Sequence, residues 1–159
     1  MSAVDEVYSE SLDTHPALQA ALAAVILVTA YLSLNPPLGS RVPTLGLMLV
    51  LVITVALFIN FRTLEISVSS GRLTVGYGFI WSRVRLSDIL YAEAVRPPFW
   101  RYGGLGIRLG LDGSVGYVVD YRRGVRVTRR RGVPIFFNTR NPERIIQIID
   151  DHVTKSPAE

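Results

Sequence analysis

Residues 121 to 139, YRRGVRVTRRRGVPIFFNT, put six arginines into ten positions: Arg122, Arg123, Arg126, Arg129, Arg130 and Arg131. A guanidinium is charged at any physiological pH and presents a rigid fork of donors, so this density suits anion binding, whether an anionic lipid headgroup or an acidic partner. A second stretch, RPPFWRYGG at 96 to 104, sets Phe99, Trp100 and Tyr102 beside Arg96 and Arg101 in a proline-led loop. Aromatic and arginine side chains together suit a membrane interface or the centre of a partner contact. Each stretch also has a plain structural explanation. The arginines would then be a solvated basic turn, and Trp100 or Phe99 would fold back over one end of the domain.

No comparable set exists for catalysis. His15 and His152 are the only histidines, and neither has a catalytic partner nearby in sequence. Without cysteine there is no disulfide framework, no thiolate nucleophile and no cysteine metal site. Neither a G-x-S-x-G elbow nor an H-E-x-x-H zinc pair occurs. Asp88, Glu93, Asp112, Asp120, Asp150 and Asp151 are scattered without metal-loop spacing and read as turns, caps and solvated faces. The run GLGIRLG, 104 to 110, imitates a dinucleotide loop, but such a loop must open a helix, whereas this one is followed by a further strand and an Asp-Gly turn. The expectation is a protein that is not an enzyme, with no cofactor, no metal and no small-molecule substrate.

The elements that must position the arginines begin with two apolar runs. Hydrophobic residues make up 49% of the 159 and charged residues 19%, which is more apolar than one small soluble domain usually is. ALQAALAAVILVTAYLSL (17–34) and TLGLMLVLVITVALFINF (44–61) are each 18 residues without a charge. As helices each would reach about 27 Å, close to the hydrocarbon thickness of a bilayer. NPPLGSRVP (35–43) between them stops one helix and starts another, so 17–61 reads as a transmembrane helical hairpin with two spans. A cleaved signal peptide would need a basic start, yet residues 1–16 carry Asp5, Glu6, Glu10 and Asp13 with no lysine or arginine, and read as an acidic tail. A buried helix pair in a soluble protein is the other alternative, and the remaining chain is too short to cover it. Residues 62 to 159 hold 16 Lys+Arg against 9 Asp+Glu. With Arg62 and Arg72 on the C-terminal flank and Arg41 in the loop, the positive-inside bias places both termini in the cytoplasm.

After residue 62 the apolar pattern alternates. LEISVS (64–69), RLTVGYG (72–78), RVRLSDI (83–89), LYAEAV (90–95), GIRLGL (106–111), GYVVDY (116–121), GVRVTR (124–129) and VPIFFN (133–138) read as short strands. Asp112-Gly113 suits a two-residue hairpin with positive φ. NPERIIQIIDDHV then reads as an amphipathic helix, with Pro142 at its first position, Glu143 at the positive end of its dipole, and Ile145, Ile146, Ile149 and Val153 on one face. If 124–129 and 133–138 pair, Val125 and Val127 point inward, Arg126 points out, and Arg129 to Arg131 occupy the turn.

Leu73-x-Val75, Arg85-Leu86-x-Asp88-Ile89, Tyr102-Gly103-Gly104-x-Gly106-Ile107-Arg108, Gly124-Val125-x-Val127 and Asn141-Pro142-Glu143, in this order and spacing, resemble the membrane-anchored prokaryotic PH-like (pleckstrin-homology-like) domain proteins. The resemblance covers residues 17 to 154. It implies an α+β fold, with a transmembrane hairpin (17–61), a PH-like antiparallel β-barrel or sandwich capped by a C-terminal helix (62–155), and a short tail (156–159). The function then expected is a multi-pass protein of the cell membrane presenting a binding platform. Its arginine hairpin would meet anionic membrane lipids or an acidic segment of a neighbour, each arginine contributing about 1 kcal/mol within a Debye length of roughly 8 Å. The alternative is a structural or scaffold subunit that associates with other membrane proteins or with itself, for which Ala17, Ala20, Ala21 and Ala24 give small-residue spacing along the first span. Nucleic acid is not an expected partner, because the charge lies in one hairpin rather than along a sheet face.

Overall fold

Alternating apolar residues build two sheets around one core. The computed structural model describes residues 6 to 35, 44 to 69 and 71 to 155, with the side chains of Glu6, Thr44, Phe99 and residues 153 to 155 outside that description. Strands β1 (Glu6–Asp13), β2 (Thr63–Ser69), β3 (Arg72–Tyr77) and β4 (Ile80–Arg85) form an antiparallel sheet in that order. Strands β5 (Ile89–Val95), β6 (Gly106–Leu109), β7 (Val115–Val118), β8 (Gly124–Arg129) and β9 (Ile135–Asn138) form a second sheet, ordered β5-β8-β9-β7-β6. The class is α+β. Of the antiparallel barrel or sandwich expected, the closed barrel does not form: the β8–β9 hairpin lies between β5 and β7, β9 runs parallel to β7, and the strands stand as two separate sheets.

Leu64, Ile66 and Val68 of β2 are buried on alternate positions, and with Leu73, Val75 and Tyr77 they share a core with Val125, Val127, Ile135 and Phe137 of the second sheet. Each such aliphatic side chain stabilises the fold by about 1.5–3 kcal/mol on burial. Helix α4 (Pro142–Lys155) adds Ile145, Ile148 and Ile149 to that core and packs on β5, β8 and the 3-10 turn Leu86–Asp88. That turn divides the stretch 83 to 89, read from sequence as one strand, and Arg85 Nε meets Asp88 Oδ2 across it at 3.2 Å. The Asp-Gly turn is also corrected: residues 110 to 114 form a five-residue connection in which Gly113 has φ +74°.

The largest departure lies at the start of the described chain. Residues 6 to 13, expected as an acidic tail, are strand β1. Glu10 gives the reason, since its carboxylate accepts from the Tyr8 hydroxyl at 2.8 Å, from Arg140 N at 2.9 Å and from the Thr139 hydroxyl. An acid that looks solvated in sequence therefore ties the edge of one sheet to the end of the other.

Helix α1 (Pro16–Leu34) follows β1, and helix α2 (Thr44–Asn60) precedes β2 and packs against α1. The connecting residues 36 to 43, Arg41 among them, lie outside the described residues. Among the described residues one helix, α1 with 19 residues, is long and apolar enough to cross a membrane or to be a signal sequence, while the apolar part of α2, Leu45–Asn60, is shorter. The expectation of two spans is corrected accordingly. The pair is inside out by the standard of a water-soluble core. Among the described side chains its buried residues are Thr29, Thr54 and Asn60, while Leu27, Val28, Leu49, Val52 and Ile59 are exposed. Thr29 and Thr54 return their hydroxyls to Val25 O and Val50 O at 2.7 and 2.8 Å, so neither leaves a donor unmatched.

Candidate anion-binding surfaces

β8 carries or adjoins all six arginines, and its strand geometry separates them. Gly124 pairs with Asn138 and Val127 with Ile135 in the antiparallel β8–β9 ladder, so Arg122 and Arg123 precede one end of the strand while Arg129 to Arg131 leave the other. At about 3.3 Å per residue, the two groups stand about 20 Å apart.

The first end is where the helices join the sheets. His15 N donates to Val119 O at 3.4 Å, and its Nδ1 accepts from Ala17 N at 3.2 Å to cap α1. Gln19 Nε2 donates to Phe61 O at 3.0 Å, fixing the start of α1 beside the end of α2. A cleft of about 580 Å³ opens here, lined by Arg122, Arg123 and Arg140 with Asp13, Asp120 and His15 among its polar neighbours. Arg122 Nε lies 3.5 Å from Asp120 Oδ2, and Arg123 Nη2 lies 2.5 Å from Glu143 Oε1. Glu143 is held below the usual carboxylate range by a hydrogen bond within its own residue and by the Arg123 guanidinium.

The far end is the β8–β9 turn. Arg130 N donates to Asp88 O at 2.7 Å, which places the turn beside the β4–β5 connection and away from the helix roots. Arg129 Nε donates to Val133 O at 2.8 Å and closes the turn on itself. Arg130 and Arg131 are exposed, and among the described residues neither has a carboxylate within ion-pair distance.

Arg126 belongs to neither end. It points away from the core as expected, but its side chain is only 23% exposed, with Nη2 3.1 Å from Asp112 Oδ2 and Nη1 3.9 Å from Glu93 Oε1. The Asp112 oxygens also take the Ser114 hydroxyl at 2.5 Å and lie 3.9 Å from Arg101 Nη1. Burial alone would push the Asp112 pKa up, but the hydrogen bonds from Ser114, together with the Arg126 and Arg101 guanidiniums, outweigh it and hold the carboxyl below its ordinary value. Since the single Ser114 hydroxyl proton goes to Asp112, the Tyr102 hydroxyl 2.9 Å away donates to Ser114. Arg126 thus completes a structural network, and a ligand would have to displace two carboxylates to reach it.

Comparison with family models, with curated proteins and with solved structures returned no match, so these surfaces rest on their own geometry.

The aromatic stretch divides in the same way. Trp100, on the single-turn helix α3 (Phe99–Tyr102), is 72% exposed, while the side chain of Phe99 lies outside the described residues. Tyr102 is corrected from contact residue to core residue. It is 6% exposed, its ring centroid lies 5.3 Å from that of Phe136, and burial pushes its hydroxyl up. Gly116 makes this possible, because a Cβ there would meet the Tyr102 ring at 2.6 Å. Residues missed in the sequence are Glu10, Arg140, Asn60 and Phe79, whose partners are 19 or more positions away. Among the described residues no three histidine or carboxylate side chains gather to hold a metal.

Proposed function

We propose that this protein is a non-catalytic membrane protein. The apolar helix pair anchors a PH-like β domain, which presents Arg130 and Arg131 away from the bilayer to an acidic partner. The observation that carries this reading is the opposition of the two ends: exposed leucine and valine helices leave one end of the sheets, and at the other stand Arg130 and Arg131, which have no ion-pair partner among the described residues. A water-exposed surface of that apolarity is unfavourable by about 25 cal/mol per Å², whereas lipid removes the penalty. A signal-sequence role for α1 is disfavoured by β1, because cleavage after α1 would remove a strand paired along its length with β2. Arg62, Arg122, Arg123 and Arg140 around the helix roots favour a cytoplasmic β domain. The lipid-facing role expected for the whole arginine hairpin gives way to a partner-facing one at its turn. About 20 Å from the helix roots, the turn is beyond the roughly 8 Å reach of an unscreened surface charge.

The test is full-length protein in neutral-lipid nanodiscs titrated with a polyglutamate peptide at low and high salt. The reading predicts salt-sensitive binding that Arg130→Ala/Arg131→Ala weakens about tenfold, at up to about 1 kcal/mol for each exposed pair. Binding that ignores both substitutions would reject it. A scaffold role is the second reading, favoured by the exposure of Ala17, Ala20, Ala21 and Ala24, which leaves the small-residue face of α1 uncovered by α2. Monomer alone in detergent would count against it.

A further inference from the structure

Phe79 is the most exposed large hydrophobic residue among those described, at 89%, yet the turn that carries it is tightly held. Gly78 has φ +43°, and Phe79 N donates to Asn60 Oδ1 at 2.8 Å. Asn60 is the last residue of α2 and is itself buried. A Cβ on Gly78 would lie 2.4 Å from the same Oδ1, so only glycine lets the turn sit against the helix end. Trp81 Nε1 donates to Gly78 O at 2.6 Å and braces the other side. The β3–β4 turn is therefore strapped to the point where α2 leaves the sheet, with Phe79 and the exposed Ile80 directed into solvent. Beside the start of α1, the cleft sets three guanidiniums, Arg122, Arg123 and Arg140, against two carboxylates, Asp13 and Asp120.

We propose that this end of the domain is a second, interfacial membrane contact. Phe79 and Ile80 enter the boundary between headgroups and acyl chains beside α2, while Arg122 and Arg140 meet the phosphates of anionic lipids beside α1. The contact rests on the reading of the helix pair as a membrane anchor and adds to it a fixed orientation of the β domain. An aromatic ring at the level of a helix end is suited to that boundary, and arginines flanking it are suited to anionic headgroups. The occupant follows from continuity, since the surface that meets the apolar helix pair must extend over the residues at its root.

The chain has no cysteine, so single cysteines can be placed in the full-length protein without other change. Leu27→Cys, Phe79→Cys and Arg130→Cys, each carrying an environment-sensitive fluorophore, are reconstituted into phosphatidylcholine vesicles with and without phosphatidylglycerol. The expected result is a hydrocarbon signal at 27, a blue shift at 79 with quenching by lipids spin-labelled high in the acyl chain, and a water signal at 130. A water signal at 79 with hydrocarbon at 27 overturns the interfacial contact and leaves the anchor standing. A water signal at 27 overturns the anchor itself. Phosphatidylglycerol should strengthen the shift at 79, and Arg122→Ala/Arg140→Ala should return it to the value in phosphatidylcholine. A shift indifferent to those arginines overturns their share of the contact.

Discussion

At the end where the helices leave the sheets, Arg122 and Arg123 each lie beside a carboxylate, and Phe79 stands out next to α2. At the opposite end Arg129 is bonded to its own turn, while Arg130 and Arg131 have no ion-pair partner among the described residues. Ten positions of sequence hold both groups, but the strand between them is about 20 Å long. Screened over about 8 Å, the two groups cannot act on one ligand as a single patch. Charge density along a chain becomes charge density in space only when the intervening backbone turns back, and here it runs straight.

The largest effect should come from breaking the membrane anchor proposed for one end. Leu27→Asp with Val52→Asp places two carboxylates on exposed faces of the helix pair proposed as the anchor, and the one in α1 alone costs about 2.5–3.5 kcal/mol at the middle of a span. Resistance to alkaline extraction should be lost, whereas the same substitutions would be harmless if these faces met water.

Smaller, and confined to the middle of β8, is the effect of Arg126→Ala. It takes the nearest cation from the partly buried Asp112, which keeps Ser114 and Arg101, and should lower stability by roughly 1–2 kcal/mol in thermal unfolding. Arg126→Lys should recover only part of that, since an ammonium cannot span both partners as a guanidinium does.

The same network should be visible in the pH dependence. Because the folded Asp112 sits below its ordinary value of 3.8, its contribution is full above that value and is lost as pH falls through the lower folded one. Asp112→Asn should therefore be less stable than the parent near neutrality, with the difference closing below about pH 4. A gap that persists unchanged into acid would mean that the carboxylate charge is not what matters there.

The smallest effect on folding should belong to the far end. Arg130→Ala/Arg131→Ala should change stability by no more than about 0.5 kcal/mol. A destabilisation comparable to that of Arg126→Ala would show that the two arginines are structural and dissolve the contrast between the ends.

The strands from residue 63 onward were legible because Leu64, Ile66, Val68, Val125 and Val127 alternate with polar neighbours, and this also gave the β8–β9 hairpin and its basic turn. Strand β1 was not, because its charges suggest solvent and its partner is 50 or so residues away across two helices. The order of the second sheet was hidden for a similar reason: local alternation specifies a strand's inward face but not its neighbour, and nothing near β7 announces a parallel partner in β9. Tyr102 looked like a contact residue until Gly116 supplied the space beneath its ring, and Phe79 looked like part of a turn until Asn60 fixed it at a helix end. On α4, Ile148 rather than Ile146 proved the more buried, a rotation of the apolar face set by packing on β5 and β8.

Which end of the β domain faces the bilayer under the proposed anchor is measured directly by energy transfer. Donor labels at Arg123→Cys and Arg131→Cys are compared, each in the full-length protein reconstituted with acceptor-labelled headgroups. Position 131 should stand about 20 Å farther from the headgroup plane than position 123. Equal distances, or a closer position 131, would contradict it.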